Sequence, residues 1–157
     1  MNYLRILSVF MLLSVGLSGC MSNKIPGDIF PEVLSITDTG CKNDTKASSD
    51  NNAYMYLDYE DSDLVVRLCN LDENCANKSL GFTADVFADG NTISLYINGK
   101  SHLANCVCTV EEIKTVIKGL EEGSYEIVVY YDSWGGWKES FNFSKALHKK
   151  TKINKWD

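Results

Sequence analysis

Residues 119–131, Gly-Leu-Glu-Glu-Gly-Ser-Tyr-Glu-Ile-Val-Val-Tyr-Tyr, constrain the fold more than any other stretch of the chain. Glycines and glutamates make a tight corner. The run from Tyr125 to Tyr131 that follows carries apolar residues on both faces. A strand of that kind lies inside a sheet rather than at its rim, so other strands must flank it.

Alternating apolar and polar residues predict those strands. Residues 53–60 set Met55, Leu57 and Tyr59 against Tyr54, Tyr56 and Asp58. Residues 64–70 set Leu64, Val66 and Leu68 against Val65, Arg67 and Cys69, and Asp61-Ser62-Asp63 joins the two runs as a hairpin. Residues 81–88 and 92–98 flank Asp89-Gly90-Asn91, where Asp-Gly supplies the positive φ of a tight turn. There Ile93, Leu95 and Ile97 oppose Ser94, Tyr96 and Asn98. Residues 30–36 read as a first strand, with Pro31 placing it at an edge or strand start. Trp137, Phe141 and Phe143 give residues 137–143 one apolar face. Residues 37–52 and 71–80 read as polar loops, and 145–157, with five Lys, His148 and Trp156, as a basic C-terminal tail outside the domain.

Residues 109–118 fit two periods. Val110, Ile113, Val116 and Ile117 recur at helical spacing, whereas Ile113, Thr115 and Ile117 alternate as in a strand. The density of β-branched residues favours the strand, and what comes next settles the choice. Leu120, Gly123 and Tyr125, followed by Ile127 and Val129, resemble a tyrosine corner. In immunoglobulin-like sandwiches that Tyr starts a strand and bonds through its hydroxyl to backbone a few residues upstream. The resemblance implies an all-β fold, an immunoglobulin-like antiparallel β-sandwich of about 7–8 strands over residues 30–144.

The N-terminus carries a different signal. After Arg5, residues 6–17 form an apolar run too short to span a bilayer but laid out as a secretory signal. It ends in Leu17-Ser18-Gly19-Cys20, which resembles a bacterial lipobox. That resemblance implies removal of the signal peptide 1–19 and acylation of Cys20, with residues 20–29 left as a lipidated tether to a lipid bilayer. Acyl chains hold through about 0.8 kcal/mol per buried CH₂, so several chains are needed for stable anchoring. Met21 follows Cys20 without an acidic run, which resembles outer-membrane sorting, with the periplasmic face favoured over the cell surface. The mature chain keeps 14 Lys and Arg against 21 Asp and Glu, a balance that argues against nucleic acid as a partner.

Export implies an oxidising compartment. Besides Cys20 the chain has Cys41, Cys69, Cys75, Cys106 and Cys108, an odd number. Cys69, Cys75, Cys106 and Cys108 are the disulfide candidates, with a bridge between the 69–75 and 106–108 regions; Cys41, in a polar loop, is the simplest leftover. Zinc, with help from His102, is a competing reading. Cys106-Val107-Cys108 is too closely spaced and Cys69 to Cys75 too open for a usual knuckle, so no metal or cofactor is expected. A redox centre would want Cys-x-x-Cys at a helix start. Trp134, Tyr130 and Trp137 form a candidate binding surface around Gly135-Gly136, because exposed aromatic rings stack on sugars or anchor proteins. For Trp137, packing in the core beside Phe141 and Phe143 is preferred.

The only histidines are His102 and His148, and the chain has no Gly-x-Ser-x-Gly elbow, P-loop or His-Glu-x-x-His. Asp58, Glu60, Asp61 and Asp63 gather at a hairpin tip without the order of a calcium loop. The lipobox, Thr39-Gly40-Cys41-Lys42, Asn105-Cys106-Val107-Cys108 and residues 119–129 together resemble small exported lipoproteins of Bacteroidetes-type bacteria with a cysteine-bearing immunoglobulin-like domain. The resemblance implies a fold and an address, and no activity. The expectation is a non-enzymatic binding or structural module of the cell envelope with an unknown protein or glycan partner. The alternative is a thiol/disulfide or metal-binding protein built on Cys69, Cys75, Cys106 and Cys108.

Overall fold

The computed structural model describes residues 30–41, 52–101, 106–132 and 135–154. The expected signal, tether and Cys20 lie outside them. The described chain is an all-β sandwich of two sheets. The five-stranded sheet runs in the order β1 (Glu32–Asp38), β6 (Val107–Lys118), β3 (Asp63–Asn74), β2 (Ala53–Glu60), β9 (His148–Ile153). The four-stranded sheet runs β4 (Phe82–Asp89), β5 (Thr92–Gly99), β7 (Gly123–Tyr131), β8 (Gly136–Phe143). The inner faces meet in one core, in which Leu68, Leu95, Ile113 and Ile127 are all inaccessible to solvent.

Residues 119–131 hold the position their sequence requires. Their strand β7 is interior to the four-stranded sheet, between β5 and β8. The ambiguous segment before it is a strand: Ile113, Thr115 and Ile117 alternate into the core as β6. The corner between them is closed by Tyr125, whose hydroxyl donates to the Glu121 carbonyl at 2.7 Å. Gly119 has φ +88°, and a Cβ there would sit 2.8 Å from the Phe30 carbonyl oxygen, so both conformation and space call for glycine. One pairing departs from the antiparallel expectation. Because β6 lies in the opposite sheet, it carries the chain back to the pole where β5 began, and β7 then runs parallel to β5.

Two sequence boundaries move. Residues 71–74, expected in a loop, continue β3 opposite β6, as far as Asn74 against Val107. Asn70, at φ +61°, lies within the strand, and beyond it Leu71 and Glu73 are buried. Residues 148–153, expected in a tail, form β9, which pairs antiparallel with β2 and buries Ile153. The other side chains of β9 are all polar, and the ladder to β2 is joined by Lys149 pairing with Glu139 at 2.6 Å and Lys150 lying over the Tyr54 ring. The domain therefore extends past residue 144, and Trp137 ties its end down by donating from Nε1 to the Asn154 carbonyl at 2.9 Å.

Strands alternate in direction along the chain, which sorts their ends into two poles. Residues 61–62, 90–91, 119–122 and 144–147 make short connections at the corner pole. β1, β3, β5 and β7 end at the opposite pole, where the connections are mostly longer and where α1 (Asn77–Leu80) lies.

Candidate functional site

The pole of longer connections is tied by two disulfides, Cys41–Cys108 and Cys75–Cys106, each with Cα atoms 5.6 Å apart. Cys75–Cys106 is the bridge expected between the 69–75 and 106–108 regions. The rest of the expectation is corrected: Cys69 is the free thiol, and Cys41 is bonded. The reason is strand order. β1 runs beside β6, which brings Cys41 opposite Val110 and within reach of Cys108. Cys69 instead points out of the middle of β3, between Tyr54 of β2 and Glu112 of β6. Burial, reinforced by the Glu112 charge, pushes its thiol pKa up, which keeps it protonated and a poor nucleophile.

Under the disulfides lies a buried polar cluster. Glu73 is 3% exposed and accepts from the Tyr131 hydroxyl, from Asn77 Nδ2 at 2.9 Å and from the Asn74 amide at 2.6 Å. Asn77 in turn accepts from the Ser101 amide at 2.6 Å, so α1 is bonded to the connection that follows β5. Burial pushes the Tyr131 phenol far above its ordinary pKa, and the Glu73 charge adds to this; the phenol stays a donor. The Tyr131 bond ties β7 to β3 across the two sheets, and the Asn77 bonds tie α1 to β3 and to the connection after β5. Among the described residues no three His, Cys, Asp or Glu side chains converge as metal ligands. His102 lies outside those residues. At the corner pole Asp58 is engaged by Arg67 and His148, and Glu60 by Lys114 at 2.7 Å. A shallow groove of about 580 Å³ between β8 and β9 is lined by Ser124, Ser140, Asn142, His148 and Lys149 among others, with no carboxylate on its wall.

The expected aromatic surface divides. Trp134 lies outside the described residues. Trp137 is buried at 9% exposure against Tyr131, in line with the core packing expected of it. Tyr130 faces outward and joins two residues that no sequence pattern singles out. Its ring stacks on Tyr96, centroids 4.6 Å apart and planes within 9°, and Phe87 meets Tyr96 edge-on at 5.8 Å. Phe87 is 61% exposed and Tyr96 37%. Alternation alone turns Tyr96 away from the core; what it does not supply is the β5–β7 register that sets Tyr96 beside Tyr130. Gly136 lies opposite Tyr130, and a Cβ there would come 3.1 Å from the ring, so its absence lets the ring lie close to β8.

Comparison with known proteins adds nothing to this geometry: no family model, no curated protein and no solved structure matches the chain.

Proposed function

We propose that the chain is an exported lipoprotein, anchored through acylated Cys20, that serves as a non-enzymatic binding module of the cell envelope. The observation that carries the binding role is the outward-facing Phe87–Tyr96–Tyr130 group on an ordered sheet face, with Phe87 and Tyr96 exposed. Clustered aromatic side chains on a rigid surface give a large contact area at low entropy cost, and such groups dominate the energetics of protein surfaces that bind. Export is supported by Leu17-Ser18-Gly19-Cys20 and by two disulfides, bonds that persist in oxidising compartments. Anchoring at the outer membrane, on its periplasmic face, is supported by the residues after Cys20.

The anchor also limits how far the domain can stand from the membrane. The fold begins at Phe30 beside Gly119, at the corner pole, and residues 21–29 span at most about 30 Å when fully extended. The tether therefore joins the domain at the corner pole and keeps it within about 30 Å of the bilayer. The test is to express the full chain and its Cys20→Ala variant and to separate membranes from soluble protein. The native chain should sediment with membranes and dissolve in detergent, whereas Cys20→Ala should be released or retained as precursor. Equal membrane binding of a cleaved Cys20→Ala chain, or a native chain left unprocessed in the cytosol, would refute the anchor.

A further inference from the structure

We infer that the outer face of the four-stranded sheet docks a folded protein whose contact surface has an apolar centre and a rim of Lys and Arg; this rests on the binding role proposed above. Register places two rows of residues across the face. Asp85, Tyr96, Tyr130 and Gly136 form one, and Phe87, Ser94, Val128 and Lys138 the next. The centre is aromatic and aliphatic, and the margin is polar, which is the anatomy of a protein–protein contact.

Ring geometry favours a protein over a sugar. Two rings with centroids 4.6 Å apart and planes within 9° lie face to face. Tyr96 and Tyr130 thus each cover one face of the other and hold one another in place. A pyranose stacks on an open ring face, and the face each of these two rings turns to the other is closed to it. Rings held in place suit a protein surface, where a rigid amphipathic ring gives contact area at little entropy cost.

Charge fixes the character of the partner. Exposed Asp85 and Asp89 border the centre on β4, and Glu126 borders it on β7. Lys138, the basic residue in these rows, is already paired with Glu126 at 2.8 Å. The margin is therefore net acidic and complements Lys and Arg. Two copies meeting through this face would oppose acidic margins, which disfavours a self-pairing.

The experiment replaces Ser94, at the middle of the face, with a photo-crosslinking amino acid in the full-length protein, in cells that make it naturally. The same probe at Lys152, on the other sheet, is the control. The expected result is a product with a second protein from position 94 and none of that mass from position 152. The product should fall at least tenfold in Tyr96→Ala and in the Asp85→Lys, Asp89→Lys double variant, with thermal unfolding unchanged in both. Mass spectrometry should place the attached peptide on a surface bearing Lys or Arg. A product with a second copy of this chain, a saccharide adduct, a protein product insensitive to the charge reversal, or no product would each overturn the inference. Crosslinking is read in whichever cell fraction holds the chain, so a failure of anchoring is scored separately from a failure of the face.

Discussion

Asp58 stands on the outer face of the five-stranded sheet yet is only 6% exposed. Arg67 and His148 cover it, and both bond to its carboxylate. Burial by itself would raise the Asp58 pKa; the hydrogen bonds from Arg67 and His148, with the charges beside them, outweigh it and hold the carboxyl below its ordinary value. A depressed carboxyl pKa stabilises the fold above the unfolded-state value, and that contribution is lost as pH falls through the folded-state value. Asp58→Asn should therefore cost about 1.5–3 kcal/mol at pH 7, in the range of hydrogen bonds to charged groups. The difference between native and variant should shrink as pH drops below about 4, where an unfolded Asp takes up its proton. Urea midpoints at pH 7 and pH 3 measure it; an equal difference at both would remove the ion-pair explanation.

Among the elements, β3 and β9 explain what the sequence can and cannot tell. Period-two alternation is legible in β2, β5 and β8 because each has an apolar face and a polar one. It fails in β3 beyond residue 70. Asn70 is left-handed at φ +61°, Leu68 and Leu71 are both buried, and the inward set is displaced by one residue. Leu71 and Glu73 then look like isolated residues in a polar loop. The same conformation makes a prediction, since a β-branched residue at a left-handed position is strained by roughly 1–2 kcal/mol. Asn70→Val should destabilise by about that amount and Asn70→Gly by clearly less, as read from urea unfolding; an equal loss in both would place the cost elsewhere. β9 is illegible for a different reason. Ile153 is its one buried residue, and its lysines suit an edge strand that must not pair with another chain. Of the aromatic face, Tyr130 is legible from its place in the sequence shortly before Trp134; Tyr96 and Phe87 need cross-strand register, which no local pattern carries. The Cys41–Cys108 pairing likewise depends on β1 lying beside β6.

At the scale of the molecule, the two poles differ in how they are held. Short turns and the Tyr125 corner close one. The other has to restrain longer connections, and its disulfides join residues 67 and 31 positions apart in sequence. Cross-links of that span typically contribute about 2–4 kcal/mol each by restricting the unfolded chain. Their formation also requires an oxidising compartment, so the same bonds bear on fold and on address. Cysteine chemistry of the protein purified from membranes is thus the most direct test. The sample is denatured without reductant, free thiols are alkylated, and peptides are mapped by mass spectrometry. The account predicts an N-terminal peptide beginning at acylated Cys20, cross-linked peptides joining Cys41 to Cys108 and Cys75 to Cys106, and alkylation at Cys69 alone. Alkylation of all five remaining cysteines, or a bridge that includes Cys69, would contradict it.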